Sequence, residues 1–309
     1  MRILFMGTPD FAVPSLQMLI DSRHEVVGVL TQPDKPQGRR QILTPPPVKT
    51  LALAHDLPVH QPETLKNGAI QSILDETRPD LIIVVAYGKI LPEYVLHYPR
   101  LGCVNVHGSL LPRWRGAAPI QWSVIAGDKY AGVTTMKMAK GLDTGNILLT
   151  AQTEIGARET AGELFDRLSV LGAQLLEKTV GQLEIADSDG VPQDEAQACY
   201  ASMLDKEMAV IDWTRAAREL DCLIRGLNPW PVALTSLEGA RMKVYAAQPE
   251  EGVGAPGEVL VADAKNGLLV ACGTGALRIT ELQMVGGKRM NACDYLRGHA
   301  IPVGSQLGG

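Results

Sequence analysis

The sequence predicts an α/β protein: a mostly parallel sheet with helices on both faces, followed by a small β-barrel. Three observations carry this expectation. From Arg2 to Leu30 the chain runs strand, turn, helix, strand, a Rossmann-like βαβ opening with parallel strands. Asp80 to Ala86, DLIIVVA, is apolar without alternation, as in a central parallel strand covered on both faces. From Val232 onward, short apolar runs alternate with glycine-rich turns, the pattern of a small barrel.

Taken in order, Arg2 to Met6 reads as the first strand. Gly7-Thr8-Pro9-Asp10 turns it into a helix from about Phe11 to Ser22, with Asp10 the expected N-cap. Val26 to Leu30 is the second strand. Thr31 to Lys49, TQPDKPQGRRQILTPPPVK, reads as a long loop stiffened by prolines. A helix over roughly Val48 to His55, a strand near Leu57 to His60 and a helix from about Gly68 to Glu76 lead to the Asp80 to Ala86 strand. Tyr87-Gly88-Lys89-Ile90-Leu91 follows at its carboxyl end, the rim where open α/β sheets bind ligands.

Cys103 to Val106 is the next strand and Ala117 to Ala126 a helix. Gly132 to Met138 and Asn146 to Glu154 read as strands joined by a GLDTG loop. Thr160-Ala161-Gly162-Glu163 is a capping box opening a helix to about Val180, with leucines at helical spacing on its core face. Asp187 to Lys206 lacks periodicity and reads as a linker. A helix from about Arg215 to Gly226, expected to be capped by Thr214, is stopped by Asn228-Pro229-Trp230-Pro231. VALTSL, MKVYAA, GEVLVA, GLLVAC and ALRITEL are the barrel strands.

Composition narrows the class. Of 309 residues, 46% are hydrophobic and 20% charged, the balance of a globular protein with real cores. No apolar run approaches the ~18 residues of a membrane helix, and MRILFMG is a strand pattern rather than a signal peptide, so no membrane partner is expected. Five scattered cysteines form no CxxC pair, which points to free thiols in a cytoplasmic protein and to no metal. The first βα turn lacks G-x-G-x-x-G, and no phosphate loop occurs elsewhere, which removes most support for a dehydrogenase or NTPase. The net charge of −5 argues against nucleic-acid binding by bulk attraction. After Met203 there are eleven Lys or Arg against twelve Asp or Glu, so any RNA partner needs a local basic surface.

The stretch Val104 to Gly116, VNVHGSLLPRWRG, carries the chemistry. Asn105 and His107 lie two apart at a strand end, so both side chains share a face. An amide can donate to an oxyanion, and an imidazole can move protons near neutrality. Asp143, in the GLDTG turn, can orient the imidazole or help carry the proton. Alone, each has an ordinary structural reading; their joint spacing and the SLLPRWRG that follows favour a site for acyl transfer.

VNVHGSLLPRWRGAAPIQW resembles the signature of the folate-dependent formyltransferases. The resemblance implies that Asn105, His107 and Asp143 are the catalytic trio. It implies that Ser109, Leu110, Leu111 and Pro112 contact tetrahydrofolate, with Tyr87, Gly88 and Ile90 beside its pterin ring. FMGTPDFAVPSL, TQPDKPQGR, VVAYGKILP and IRGLNPWPVA extend the likeness nearly end to end and narrow it to the branch acting on methionyl-tRNA. That branch implies 10-formyltetrahydrofolate as co-substrate, initiator methionyl-tRNA as partner, no obligate protein partner, and tRNA contacts from Lys35, Arg39 and Arg40. It implies a catalytic domain over 1–188, a linker over 189–208 and an OB-like tRNA-binding domain over 209–309. Two alternatives stay open: a folate enzyme acting on an amino sugar nucleotide or glycinamide ribonucleotide, and a non-catalytic RNA-binding module.

Overall fold

Five short, apolar, β-rich segments, each followed by a connection of suitable length, stack in parallel to make the first layer of the molecule. The computed structural model describes residues 1–38 and 40–308. β1 (Arg2–Gly7) leads through a 3-10 turn into α1 (Val13–Asp21), β2 (Glu25–Leu30), β3 (Lys35–Gln37), β4 (Ile42–Thr44), α2 (Pro47–Ala54) and β5 (Val59–His60). Next come α3 (Gln71–Thr77), β6 (Leu81–Val85), α4 (Glu93–Leu96), β7 (Cys103–His107), β8 (Arg115–Gly116), α5 (Pro119–Ile125), β9 (Tyr130–Lys137), β10 (Ile147–Glu154), α6 (Ala161–Ile185) and β11 (Tyr200–Ala201). The remainder is α7 (Ala217–Gly226), β12 (Ala233–Leu237), β13 (Ala240–Glu250), β14 (Val259–Asp263), β15 (Gly267–Ala271), β16 (Ala276–Met284), β17 (Met290–Asn291) and α8 (Ala292–Gly298).

Among the described residues the chain groups into two compact units. The first comprises Met1–Pro119, Ala131–Thr153 and Phe165–Ala201; the second comprises Ile120–Tyr130, Glu154–Leu164 and Ser202–Gly309.

In the first unit seven strands run in the order β10-β9-β7-β6-β1-β2-β5. β1, β2, β5, β6 and β7 are parallel, and β9 is antiparallel to β7. Chain order reverses between β1 and β6, the kind of switch point at whose carboxyl ends open α/β sheets bind ligands. Every residue of β6 is buried, as its unbroken apolar run requires. Leu4, Met6, Ile82, Val84 and Cys103 pack on one face against Ile70 and Leu74 of the α3 region and Val95 and Leu96 of α4. On the other face Phe11 meets Phe165 of α6 at 5.2 Å between ring centres. The mostly parallel sheet with helices on both faces is therefore as the sequence predicts.

In the second unit β12-β13-β16-β15-β14 is an antiparallel sheet, with β17 added on β16. Its inner face is apolar: Met242, Val244, Val259, Leu268, Val270 and Leu282 are fully buried. Residues near the C-terminus tie both edges. Leu307 N donates to Gly257 O at 2.8 Å, and Gly308 N to Ser236 O at 2.9 Å. That closure gives the small barrel expected from the spacing of the strands.

Four local expectations need correction. Asp10 does not cap α1: a 3-10 turn precedes it, and Pro14 in the first turn removes one donor that would need a cap. Thr214 does not cap α7, because its hydroxyl donates to Asp212 at 2.6 Å; the amide of Ala217 bonds the barrel carbonyl of Thr274 instead. The proline-rich stretch contains the β3–β4 hairpin, turned at Gly38, whose φ of 67° is open to glycine. The stretch read as a linker is tied down: β11 pairs in parallel with β8, and its residues to Ala201 group with the first unit. The capping box holds, with Thr160 N donating to Glu163 at 2.8 Å and Glu163 N to Thr160 at 3.3 Å.

The β8–β11 seam has one steric requirement. Gly116 sits at φ 113°, and a Cβ there would lie 2.6 Å from Ala201 O. Gly116→Ala should destabilise the protein by about 2 kcal/mol or more, read from urea unfolding. A change inside experimental scatter would mean the seam is loose.

Candidate active site

β7 places two polar side chains at the rim of the parallel sheet. Val106 faces α6, where a Cβ added to Gly172 would lie 3.1 Å from it. Alternation along the strand sends Asn105 and His107 to the opposite face. Both are buried, at 9% and 6% exposure.

The chain then curls back on itself. Ser109 N donates to His107 O at 2.9 Å, and Ser109 Oγ donates to Arg113 O at 2.7 Å. Thr134 Oγ1, fully buried on β9, donates to Ser109 O at 2.7 Å and accepts from Leu111 N at 3.1 Å. The curl ends with Trp114 O 2.8 Å from His107 Nε2. A carbonyl only accepts, so Nε2 carries the hydrogen, and in the neutral ring Nδ1 is a bare lone pair. That Nδ1 lies 3.7 Å from Asp143 Oδ2. The same Oδ2 accepts the Gly116 amide at 2.9 Å.

Both partners of the imidazole are held in an uncommon backbone conformation. Trp114 has φ 60° and Asp143 has φ 52°. For non-glycine residues this costs on the order of 1–3 kcal/mol each, and it persists only where the surroundings over-determine it. The Asp143 loop is one such place: a Cβ on Gly145 would lie 1.9 Å from Lys137 O, so only glycine admits this approach.

The sequence-predicted residues thus divide. His107 and Asp143 are brought together, and Asn105 shares the His107 face. Ser109, Leu110, Leu111 and Pro112 form the curl beside them. Tyr87, Gly88 and Ile90 lie past the carboxyl end of β6, on the same rim. The Tyr87 ring is committed to the core at 1% exposure, and burial pushes its hydroxyl up to about 12. Only its backbone is available there, and its carbonyl already accepts from Thr8 Oγ1 and Gln32 Nε2. Gly88 is open, and Ile90 is 83% exposed, an apolar side chain offered to whatever occupies the rim. Lys35 and Arg40 are exposed on the β3–β4 hairpin; Arg39 lies outside the described residues. The five cysteines are free thiols. Among the described residues no group of three or more His, Cys, Asp and Glu is placed to hold a metal ion, and no helix is long and apolar enough to cross a membrane.

Sequence reasoning missed a set of residues behind the site. Arg115 is fully buried, and its guanidinium donates to Glu195 at 2.8 Å and to Gln193 Oε1 at 2.9 Å. The bond to Arg115 holds the Glu195 carboxyl below its usual range and raises Arg115 in turn. Gln193 Nε2 donates to Asp143 O at 2.8 Å and to Gly145 O at 2.7 Å. Trp114 N donates to Cys199 Sγ at 3.2 Å, and Arg115 N to Cys199 O at 2.9 Å. No signal in the 187–206 stretch announces these contacts, since they come from single side chains and a two-residue strand.

Comparison with known proteins follows the same lines. The family described as Formyl transferase matches residues 1–180, and the Formyl transferase C-terminal domain matches 203–300. The chain belongs to the formyl transferase family. A relative from Alkaliphilus oremlandii, named methionyl-tRNA formyltransferase, is 50% identical over all of this chain and all of its own. One of the same name from Ectopseudomonas mendocina is 54% identical, covering 95% of this chain and 93% of its own. Among solved structures, the N-formyltransferase from Helicobacter canadensis with folinic acid and dTDP-3-aminofucose shares the fold. Its TM-score is 0.67 at 15% identity, covering 94% of this chain and 100% of its own. HypX from Aquifex aeolicus with tetrahydrofolic acid gives a TM-score of 0.64 at 18% identity, covering 96% of this chain and 47% of its own.

Thr134 is the peg that holds the curl. Thr134→Val keeps the shape but leaves the Leu111 amide and Ser109 carbonyl short of partners. It should cost about 1–3 kcal/mol in urea unfolding. A cost below about 0.5 kcal/mol would show that the curl stands without it.

Proposed function

We propose that this chain transfers the formyl group of 10-formyltetrahydrofolate to the α-amino group of initiator methionyl-tRNA. The observation that carries the reading is the His107–Asp143 pair, with Nδ1 bare toward the carboxylate, in a chain half identical to methionyl-tRNA formyltransferases over its whole length.

Formyl transfer between two nitrogens forms one C–N bond and breaks another, and a proton crosses from the attacking to the leaving nitrogen. Nδ1 of His107 is the free base of the site and takes that proton from the amine. The Nδ1–H so formed faces Asp143 Oδ2, while Nε2–H stays on Trp114 O, so the ring is held at both nitrogens. His107 then returns the proton to the departing nitrogen. The Asn105 amide donates to the oxygen that becomes anionic in the tetrahedral intermediate. Gly88 and Ile90, on the rim beside the Ser109–Pro112 curl, suit the folate, since open backbone and an exposed apolar side chain match a flat ring with hydrogen-bonding edges. Lys35, Arg39 and Arg40 are the proposed tRNA contacts of the hairpin. The C-terminal barrel is the second tRNA-binding element, and the enzyme works in the cytoplasm.

The direct assay supplies purified protein with 10-formyltetrahydrofolate and methionyl-tRNA and measures formyl-methionyl-tRNA. A sugar nucleotide formylated in its place would overturn the reading. His107→Ala should lower kcat by about 10²-fold or more, the usual size of a lost acid–base group. Lys35→Ala with Arg40→Ala should raise KM for tRNA and leave KM for the folate unchanged; equal effects on both would remove the hairpin from tRNA binding.

A further inference from the structure

We propose that Gln193 is a positioning residue for the transfer reaction, and that residues 193–201 form a strap that sets the His107–Asp143 pair. This rests on the catalytic reading of that pair given above.

The strap reaches both partners of the imidazole by separate routes. Gln193 Nε2 donates to two carbonyls of the Asp143 loop, Asp143 O at 2.8 Å and Gly145 O at 2.7 Å. Its Oε1 accepts from Arg115 Nε at 3.0 Å and from Nη2 at 2.9 Å. All four polar capacities of the amide are thereby in use, and its orientation is fixed from both ends. Arg115 is itself fully buried and closed on its far side by Glu195. Further along, Cys199 receives the amides of Trp114 and Arg115, and Ala201 O receives that of Ala117. These bonds hold the residue whose carbonyl meets His107 Nε2.

The chemistry explains why such a strap is needed. Asp143 and Trp114 both sit at positive φ without being glycine, so neither loop would keep its shape unaided. A carboxylate 3.7 Å from Nδ1 leaves a gap that a small loop shift would widen or close. Gln193 contacts neither the imidazole nor the carboxylate oxygens. Its effect on rate passes through the backbone of Asp143, as an outer partner orients an inner one.

The test is a double-mutant cycle on the full chain. Gln193→Glu keeps oxygen acceptors for Arg115 but removes the donor to the Asp143 and Gly145 carbonyls. It should lower kcat about 10-fold or more, with KM for 10-formyltetrahydrofolate and methionyl-tRNA each within about threefold. In the Asp143→Asn background the same change should lower kcat by less than about twofold, because the group it positions is already gone. Full multiplication of the two effects, or a Gln193→Glu enzyme within about twofold of the parent, would overturn the positioning role. If Asp143→Asn alone leaves kcat unchanged, the catalytic reading of Asp143 fails instead, and the strap's role falls with it. Gln193→Met, which removes donor and acceptor together, repeats the cycle if the Glu variant does not fold. Failure of both to fold would make the strap a folding element and overturn the proposal.

Discussion

The bond from His107 Nε2–H to the carbonyl of Trp114 is the constraint on which the site depends. It fixes the ring's orientation and its tautomer in one contact, so the basic nitrogen is the one turned toward Asp143. To place that carbonyl the chain must double back within seven residues of His107. It does so with Ser109 and Thr134 as internal pegs and with Trp114 at positive φ. Much of the rest can be read as support for this curl: β9 supplies Thr134, and the 193–201 segment supplies the bonds that hold Trp114 through Ala117. The parallel sheet beneath provides the rim from which His107 projects.

The two units answer different demands. The first is a layered sheet whose reversal of strand order leaves an open rim at the carboxyl ends of β1 and β6. Rigidity there comes from fully buried central strands. The second has no such rim: its strands are antiparallel, its interior is filled, and its edges are tied by the segment around Leu307. A filled barrel of this kind offers its outer surface and loops. That suits recognition of a large acceptor better than enclosure of a small one.

Much of this was legible in the sequence because the signals were periodic or local. An unbroken apolar run betrayed β6, a two-residue spacing put Asn105 and His107 on one face, and Thr160 with Glu163 announced a helix start. What escaped had no period. Arg115 reads like its neighbour Arg113, yet one is fully buried and the other exposed. Gln193 and Cys199 lie among polar residues, glycine and proline, and their importance is set by partners 50 and 85 residues away. The Asp10 and Thr214 caps failed for a related reason: a proline and a competing Asp212 carboxylate had already settled those local accounts. A hairpin inside a proline-rich stretch was hidden because prolines there read as loop, although an edge strand tolerates them.

The pairing of β8 with β11 also has a consequence in time. Residues 115 and 200 must meet before the backbone around Trp114 is fully held. On a ribosome that feeds the chain out from its N-terminus, the parallel sheet has all its strands well before the imidazole is framed. A nascent chain stalled short of Ala201 would carry the rim without the bonds that hold Trp114 through Ala117. The framing of the His107 ring therefore arrives as a late, separate event in the biogenesis of the first unit.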